Sequence, residues 1–256
     1  MKSLAIVGGA GRMGQALAAG LGALGEFKVT ALVDTSPPRE LFGAAHATSL
    51  EEVDPSSVDV VIDFSSPEGV VVSARWCRDH RVALVVGATG LSDEQRQVVA
   101  EAATRVGVVI SSNYAVGAVL AERFAAMAAP YFERAEVIEL HHDRKVDAPS
   151  GTSIAAAHAI ADARRRHGLD PLSEPTLRQT VAGARGANAI DGVQIHSVRL
   201  PGLVAHQEIL LGSPGEGLTI RHDSFDRQSF VHGVAIAVEA IDASPRLLEG
   251  ISSFIT

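Results

Sequence analysis

Residues 139–153, ELHHDRKVDAPSGTS, bring together side chains that could carry out acid–base chemistry. Histidines such as His141 and His142 exchange protons near neutral pH. Lys145 adds a compact positive charge with three N–H donors, and a lysine in such a place can serve as a proton donor. The segment therefore predicts a site at which a bound molecule gains a proton.

A predicted helix start follows and adds a second property to the segment. A helix from about Gly151 to Arg166 would present its first backbone N–H groups just after Ser150, and such a terminus binds carboxylate or phosphate. Gly151 allows close approach and Thr152 adds a hydroxyl. Together these features predict an anionic substrate that must also gain a proton. The alternative is a solvated loop in which Pro149 and Ser150 only cap the helix.

The two histidines do not predict a metal centre. His141 and His142 are neighbours at the end of a predicted strand, where successive side chains point to opposite faces. Neither an H-E-x-x-H motif nor a cysteine cluster accompanies them. We therefore expect no metal.

A glycine-rich loop near the amino end predicts a nucleotide site. The loop, GGAGRMG (8–14), lies between a predicted buried strand and a predicted helix, and Gly8, Gly11 and Gly14 form the pattern G-x-x-G-x-x-G. Glycines let the backbone approach a pyrophosphate at a helix N-terminus. In this setting the pattern predicts a dinucleotide cofactor, and an ordinary tight βα turn is the alternative.

Asp34 bears on the choice of cofactor. It lies twenty residues after Gly14 at the end of the second predicted strand, where a carboxylate receives a ribose 2′-hydroxyl. A carboxylate repels a 2′-phosphate, so the sequence predicts NADH first. Arg12 or Arg39 could still reach a 2′-phosphate, which leaves NADPH open.

Other strand ends should lie beside the same cofactor, because ligands of open parallel sheets bind beyond the carboxyl ends of the strands. Two such ends are GATG (87–90) and SSNY (111–114), and DFS (63–65) is a weaker candidate. Ordinary βα turns are the alternative for each. Coupled to the acid–base segment, a nicotinamide site implies a reduction, in which hydride goes to one atom and a proton to its neighbour.

The order of the predicted elements indicates an α/β fold. In the first part of the chain, apolar strands alternate with helices, which predicts a Rossmann-type doubly wound parallel sheet. Later strand-like runs predict a second α+β domain with a mixed sheet; they are 135–140, 193–200, 204–212 and 217–224. We expect a dinucleotide-binding domain at 1–114, to which 224–256 returns, and a substrate-binding and oligomerisation domain at 115–223.

Composition and charge exclude several other classes. The formal net charge of -8 leaves no basic excess for general nucleic-acid binding, so an anionic ligand must be held by a local site. Cys77 is the only cysteine, which excludes an intramolecular disulfide and fits a reducing compartment. The opening residues do not predict a signal peptide, and no apolar run predicts a membrane span. We expect a cytoplasmic protein with no nucleic-acid or membrane partner.

Four motifs resemble the dihydrodipicolinate (4-hydroxy-tetrahydrodipicolinate) reductase family of diaminopimelate and lysine biosynthesis: GGAGRMG, VGATGL, SSNYAVG and, above all, ELHHDRKVDAPSGTS. The resemblance covers essentially the whole chain, and the histidine–lysine motif is highly specific. It implies reduction of a small cyclic dicarboxylate, 4-hydroxy-tetrahydrodipicolinate, to tetrahydrodipicolinate. NADH or NADPH would supply hydride to ring C4, and a proton would go to C3. The resemblance also implies a homotetramer whose second-domain sheets join.

The resemblance further implies roles for individual residues. His141 corresponds to the catalytic acid–base and Lys145 to the proton donor. His142, Gly151 and Thr152 correspond to residues that bind the substrate carboxylates. The residues that the resemblance places at the nicotinamide cofactor are Gly8, Gly9, Ala10, Gly11, Arg12, Met13, Asp34, Gly87, Ala88, Thr89, Ser111, Ser112, Asn113 and Tyr114.

Two positions depart from the usual pattern of the family. Ala88 stands where threonine is common, so a hydroxyl contact with the cofactor is lost, and Thr35 stands where members that favour NADPH often carry arginine. Both changes concern the cofactor rather than the reaction. Two other functions stay open: an oxidoreductase acting on another small dicarboxylate, and a non-catalytic NADH-binding sensor, against which the intact His141 and Lys145 speak.

Overall fold

The chain divides into two compact units in the computed structural model, which describes residues 1–255 and, for residues 188 and 189, the backbone alone. Unit 1 comprises Met1–Val116 and the segment from Arg227 onward, and unit 2 comprises Gly117–Asp226. Thr256, with which the predicted first domain ends, lies outside the described residues.

Strands and helices alternate along the first part of unit 1, whereas most of the strands of unit 2 follow one another without an intervening α-helix. The strands are β1 (Lys2–Val7), β2 (Phe27–Val33), β3 (Ala45–Ala47), β4 (Val60–Asp63), β5 (Ala83–Val86), β6 (Gly107–Ile110), β7 (Arg134–His141), β8 (Ala187–Ile190), β9 (Val193–Arg199), β10 (Ala205–Ser213), β11 (Glu216–Ser224) and β12 (Arg246–Glu249). The α-helices are α1 (Arg12–Ala23), α2 (Pro67–His80), α3 (Asp93–Ala103), α4 (Val116–Ala128), α5 (Gly151–Arg166) and α6 (Val231–Ala240). Within residues 1–255, none of these helices is both long and apolar enough to cross a bilayer.

The sheet of unit 1 has the strand order β12-β6-β5-β4-β1-β2-β3, and its described pairings are parallel. Its central strands are short apolar runs such as β5, which is buried at every position, as expected for strands covered on both faces. The chain reverses its direction across the sheet between β1 and β4, and open α/β sheets bind ligands at such a switch point. The predicted Rossmann-type sheet is confirmed.

Helices cover this sheet because each buries one apolar face. α2 and α3 pack against each other, and Val70 and Ala74 of α2 join strand residues such as Val61 and Leu84 in one hydrophobic cluster. α1 and α6 also contact each other and strands of the sheet. The packing leaves the loops after β1, β4, β5 and β6 together at one edge of the sheet.

The sheet of unit 2 has the order β11-β10-β7-β9-β8. It is mixed, because β7 pairs in parallel with β9 while the other pairings are antiparallel. Val137, Ile195 and Ile209 on one face form a core with Ala156 and Ile160 of α5. The predicted mixed sheet of a second α+β domain is confirmed.

The sequence does not predict three of the strands. β3 and β12 have only three and four residues, too few to show a period. β8 lies within a stretch rich in Pro, Gly and Ala, but Asp191 and Gly192 join it to β9 with φ values of 47° and 85°. Two-residue hairpin turns require such positive values, so the Asp-Gly pair is the signal from which β8 could have been predicted.

Candidate functional site

The glycine loop is held to the end of β2 by backbone contacts. The N–H groups of Gly8 and Gly9 both donate to the Val33 oxygen, at 2.9 and 3.1 Å. A Cβ on Gly14 would lie 2.2 Å from the Gly8 oxygen, so only glycine lets α1 approach the loop this closely. The N-terminus of α1 is thereby held against the loop, and its free N–H groups could accommodate a pyrophosphate.

Asp34 lies beside this loop. Its carboxylate accepts the Ala10 N–H at 3.1 Å and the Ser36 N–H at 3.0 Å, one on each oxygen. Each carboxylate oxygen can accept a further hydrogen bond. Both oxygens of the Asp34 carboxylate therefore keep the capacity to accept a hydrogen bond from a ribose hydroxyl.

A cavity of about 370 Å³ opens at the ends of β1, β2 and β4. Gly8, Asp34 and Thr35 line it together with Ser65 and Ser73. None of the residues described as lining it is a lysine or an arginine. Its volume lies in the range of small-molecule sites, and its charge suits a nucleoside without a 2′-phosphate.

Asp63 supports the wall of this cavity from the switch point of the sheet. It is fully buried, and its carboxylate accepts hydrogen bonds from the Ser65 N–H (2.8 Å), the Ser65 hydroxyl (2.6 Å) and the Ser73 hydroxyl. Burial raises the pKa of Asp63 in spite of these donors. Its backbone oxygen accepts the Gly87 N–H at 2.8 Å, which joins this region to the end of β5.

A second cavity, of about 360 Å³, lies at the ends of β5 and β6. Ala88 and Thr89 line it from the β5 side, and Ser111 and Ser112 line it from the β6 side. Four residues for which the sequence predicts cofactor contact are thus brought to one cavity. Ala88 supplies no hydroxyl there, so the hydroxyl groups of the lining are those of Thr89 and the two serines, and Arg96 and Glu249 add charged side chains.

The other predicted cofactor residues have different surroundings. Tyr114 is fully buried, and its hydroxyl donates to the Val86 oxygen at 2.7 Å. Asn113 accepts the Ala115 N–H at 2.9 Å through Oδ1. Neither Tyr114 nor Asn113 lines the two cavities, and the burial of Tyr114 makes it part of the core.

The start of α1 accounts for the remaining members of the set. Gly11 is the N-cap residue, and Arg12 and Met13 are the first two residues of the helix. Arg12 and Arg39 are exposed, and neither lines the cavities. The two cations that could have met a 2′-phosphate therefore lie outside the described lining.

Unit 1 as a whole fits a nicotinamide dinucleotide. Two cavities of similar volume, about 370 and 360 Å³, lie at the ends of neighbouring strands. The glycine loop and the helix N-terminus can hold the pyrophosphate, which joins the two halves of such a cofactor. Asp34 at the first cavity suits the adenosine ribose.

In unit 2, β7 carries Glu139 and His141 to the same face of the sheet, because they are two residues apart. Glu139 is fully buried, and its carboxylate binds Nδ1 of His141. Burial lowers the pKa of His141; Glu139 opposes this, and the cations of Lys145 and Arg199 add to it. A neutral imidazole that donates through Nδ1 leaves Nε2 as the position for proton exchange.

Arg199 is a residue of this site that the sequence does not predict. The parallel register of β7 and β9 pairs it with His141, and its two Nη groups donate to the two oxygens of Glu139 at 2.8 and 2.7 Å. Burial acts to raise the pKa of Glu139, but hydrogen bonds from Arg199, Ser197 and His141 outweigh it, so the pKa is lowered. Glu139 could have been found from the E-x-H spacing, whereas Arg199 depends on strand pairing.

Lys145 lies in the loop after β7. Its ammonium contacts the carboxylate oxygens of Asp147 at 2.8 and 2.7 Å, and this hydrogen bonding lowers the pKa of Asp147. The Asp147 side chain is 58% exposed, and ion pairs open to water contribute little. A carboxylate of a ligand can therefore take the place of Asp147 at this cation.

The start of α5 and His142 complete the predicted set in unit 2. Ser150 caps the helix, since its hydroxyl accepts the Ser153 N–H at 3.3 Å. Gly151 and Thr152 follow, and Gly151 is exposed with open space around it. His142 has a buried Nδ1 that bonds to no described group. Buried polar atoms normally have a partner, which marks this atom as a contact for a ligand or water.

The fold and these two sets of residues define an NAD(P)-dependent oxidoreductase. Unit 1 fits the dinucleotide, and unit 2 carries an acid–base side chain and cations suited to an anionic substrate. The family model described as "Dihydrodipicolinate reductase, N-terminus" matches residues 2–114, and the one described as "Dihydrodipicolinate reductase, C-terminus" matches residues 117–254. The chain belongs to the dihydrodipicolinate reductase family.

Individual relatives agree with this assignment. The chain is 43% identical to 4-hydroxy-tetrahydrodipicolinate reductase of Corynebacterium urealyticum over 92% of its length and 96% of the relative's. It is also 43% identical to the enzyme of that name from Nocardia farcinica, over 98% and 97%. A solved structure of dihydrodipicolinate reductase from Paenisporosarcina sp. TG-14 with bound dipicolinate is 37% identical and superposes over 99% of both chains with a TM-score of 0.86. The predicted family, enzyme class and nicotinamide cofactor are confirmed.

Proposed function

We propose that the chain reduces 4-hydroxy-tetrahydrodipicolinate to tetrahydrodipicolinate with NADH or NADPH, in diaminopimelate and lysine biosynthesis. Family membership makes this the reaction of the chain. The observation that carries the proposal is the Glu139–His141 pair with Lys145 in the adjoining loop. It provides acid–base chemistry near a cation, in a chain whose other unit fits a nicotinamide dinucleotide.

The substrate class follows from the charges of unit 2. A solved relative holds dipicolinate, a ring with two carboxylates. His142, Gly151 and Thr152 would bind the carboxylates of such a substrate, with the helix N-terminus of α5 adding its positive end. The ammonium of Lys145 would release the carboxylate of Asp147 and bind a substrate carboxylate in its place, or it would lie next to the substrate ring.

Unit 1 binds the cofactor in this proposal. The glycine loop, Gly8 to Met13, would hold the pyrophosphate, and Asp34 would receive the adenosine ribose. Gly87 to Thr89 and Ser111 to Asn113 would contact the nicotinamide half. When bound, the reduced nicotinamide supplies a hydride, expected at ring C4 after the 4-hydroxyl group and a C3 hydrogen have left as water.

In this proposal, residues of unit 2 donate the proton to ring C3. The lowered pKa of His141 keeps its imidazole neutral at neutral pH, so the ammonium of Lys145 is the better direct donor. Nε2 of His141, with Nδ1 held by Glu139, exchanges protons as the acid–base partner. Fixed cations near a ring that gains electrons also stabilise the developing charge.

We also propose that the protein is a homotetramer joined through the sheet of unit 2. The face of this sheet opposite the α5 core carries Ile138, Leu140, Val198 and Leu210, which are only partly buried. Pairing these faces between copies would bury them. Light scattering should give the mass of four chains, and Leu210→Lys should lower it; a monomeric wild type would contradict the proposal.

A cytoplasmic location is proposed from the cysteine content. Cys77 is the only cysteine and is fully buried, and burial raises the pKa of its thiol, which keeps it unreactive. A single reduced thiol fits a reducing compartment. Cell fractionation should recover the reductase activity with cytoplasmic markers.

The decisive experiment follows the loss of reduced-nicotinamide absorbance. The substrate is generated in situ from pyruvate and aspartate semialdehyde by the preceding synthase, and NADH and NADPH are used in parallel. We expect rapid oxidation that depends on the synthase. Absence of oxidation with both cofactors, in the presence of an active synthase and a folded protein, would contradict the proposed function.

A further inference from the structure

The guanidinium of Arg199 is almost completely occupied by groups of unit 2. Its Nη1 donates to Glu139 at 2.8 Å and to the Val198 oxygen at 2.8 Å. Its Nη2 donates to the other carboxylate oxygen of Glu139 at 2.7 Å and to the backbone oxygen of Asp147 at 2.7 Å. Of the five N–H donors of an arginine, only Nε lacks a described partner, and that atom is buried.

This occupancy excludes a role for Arg199 as a binder of substrate carboxylate. Bidentate recognition of a carboxylate needs two parallel N–H groups, and Arg199 already uses such a pair for Glu139. Its side chain is also only 20% exposed. Arg199 therefore acts on other protein groups rather than on a ligand.

The two groups that Arg199 reaches belong to the two parts of the acid–base site. Through Glu139 it acts on His141, because an ionised carboxylate only accepts hydrogen bonds and so requires the Nδ1–H form of the imidazole. Through the Asp147 oxygen it holds the loop that carries Lys145. One side chain on β9 thus braces both the strand end and the loop.

We propose that Arg199 is a positioning residue for the reduction: clamped on Glu139 and on the Asp147 backbone, it fixes the tautomer of His141 and the place of Lys145. This inference rests on the proposed roles of His141 and Lys145. Because Glu139 and Arg199 carry opposite charges next to one imidazole, it predicts opposite effects of removing them.

The charged groups around His141 determine the direction in which each substitution should shift its pKa. Glu139 on β7 raises the pKa of His141, while Lys145 in the loop and Arg199 on β9 lower it. The carboxylate of Asp147 pairs with Lys145, and the backbone oxygen of Asp147 accepts a hydrogen bond from Arg199. Removing the positive charge of Arg199 should therefore raise the pKa of His141, and removing the negative charge of Glu139 should lower it.

The test compares Arg199→Gln and Glu139→Gln. The pKa of His141 is followed by NMR of histidine-labelled protein, with His141→Gln to assign its signal, and the pH dependence of kcat/KM is measured in the coupled assay. We expect the His141 titration to move to higher pH in Arg199→Gln and to lower pH in Glu139→Gln. We expect kcat to fall about 100-fold in Arg199→Gln, since both catalytic groups are displaced, with the affinity for NADH unchanged.

Two further variants keep the outcome interpretable. The double variant Glu139→Gln/Arg199→Gln has no unpaired buried charge, and its His141 titration should return towards that of the wild type. Arg165→Gln, which removes an exposed arginine of α5 paired with Asp162 and Asp191, should leave the titration and kcat unchanged.

The possible results separate the two proposals. A His141 pKa that is unmoved, or that moves in the same direction in both single variants, would overturn the positioning role. The NMR titration needs no turnover, so it tests Arg199 even if the wild type fails to oxidise NADH in the coupled assay. That failure would count against the proposed function alone.

Discussion

Asp63 at the end of β4 and Glu139 near the end of β7 are both fully buried carboxylates, yet their pKa values are shifted in opposite directions. Asp63 accepts hydrogen bonds from neutral donors, the serines 65 and 73, and burial raises its pKa. Glu139 is also buried, but the hydrogen bonds of Arg199, joined by those of Ser197 and His141, outweigh the effect of burial on its pKa. The difference between the two sites is the cation.

This contrast extends to the two units. The site in unit 1 is built largely from backbone: the glycine loop, a helix N-terminus and strand ends, with Asp63 orienting serines at a cavity wall. The site in unit 2 is built from charged side chains that hold one another. A nucleotide is bound by shape and backbone donors, whereas a proton transfer needs titratable groups with controlled pKa values.

The largest expected effect separates the two carboxylates directly. Glu139→Gln leaves Arg199 without its buried partner, so we expect the free energy of unfolding at neutral pH to fall by about 3–5 kcal/mol. Asp63→Asn removes a buried charge and keeps hydroxyl partners, so its cost should be below about 1 kcal/mol. Chemical denaturation measures both, and equal costs would refute the contrast.

The same pair of variants should respond oppositely to pH. Because the pKa of Glu139 is lowered in the folded state, this residue stabilises the protein at pH values above its usual pKa of 4.5. The stabilisation is lost as the pH falls through the folded-state pKa. The Gln variant should therefore approach the wild type in acid. Because the pKa of Asp63 is raised in the folded state, this residue stabilises the protein at pH values below its usual pKa of 3.8. That stabilisation is lost as the pH rises through the folded-state pKa. The stability of the Asn variant relative to the wild type should therefore increase as the pH rises. If the relative stabilities of the two variants changed with pH in the same direction, that would be evidence against this account.

Catalysis should depend on unit 2 side chains more than cofactor binding does. We expect His141→Gln and Lys145→Met each to lower kcat by about 100-fold or more, because each removes a group that moves the proton in the proposed mechanism. The affinity for NADH, measured by fluorescence titration, should change little. His158→Gln and Lys28→Met, which alter exposed residues, serve as matched controls. An unchanged kcat would remove the substituted residue from the mechanism.

The backbone-built site should be sensitive to a single methyl group. In Gly14→Ala the new Cβ would meet the Gly8 oxygen at 2.2 Å, so the loop must shift. We expect a loss of about 1–3 kcal/mol in stability and weaker binding of NADH. Gly22→Ala in the same helix meets nothing within 4 Å and should be neutral or stabilising by up to about 1 kcal/mol. Similar behaviour of the two variants would show that the loop tolerates displacement.

The smallest expected effect concerns the choice of cofactor. Asp34→Asn keeps an oxygen for the Ala10 N–H but removes the charge that would face a 2′-phosphate. We expect the ratio of kcat/KM for NADPH over NADH to rise about 3- to 5-fold, as for a partly screened charge. Asp79→Asn, at an exposed ion pair on α2, is the control. A ratio unchanged by Asp34→Asn would mean that Asp34 does not discriminate between the cofactors.

The sequence predicts much of the fold because the local pattern of apolar residues and glycines reflects where each residue lies in the tertiary structure. Apolar runs such as 83–86 indicate strands buried on both faces, and the spacing of Gly8, Gly11 and Gly14 indicates a loop against a helix. Short elements escape such prediction. β3 and β12 become strands only because a neighbouring strand edge offers hydrogen bonds.

The candidate site shows the same limit at the level of residues. The resemblance places Tyr114 among the cofactor residues, but the packing of unit 1 buries it against Phe64. Arg199 has no local signal at all, because its partners Glu139 and Asp147 are 60 and 52 positions away in the sequence. It lies beside His141 only through the β7–β9 register.

By itself, the sequence determined the class of fold and predicted the nucleotide-binding loop and the acid–base segment, because each depends on residues that are near one another along the chain. The tertiary structure alone decided how these groups are charged and held. Burial of Glu139, its bidentate contact with Arg199 and the resulting pKa of His141 depend on desolvation and on strand pairing. Both arise only when distant segments pack together, since the pKa of a group follows its surroundings and not its sequence neighbours.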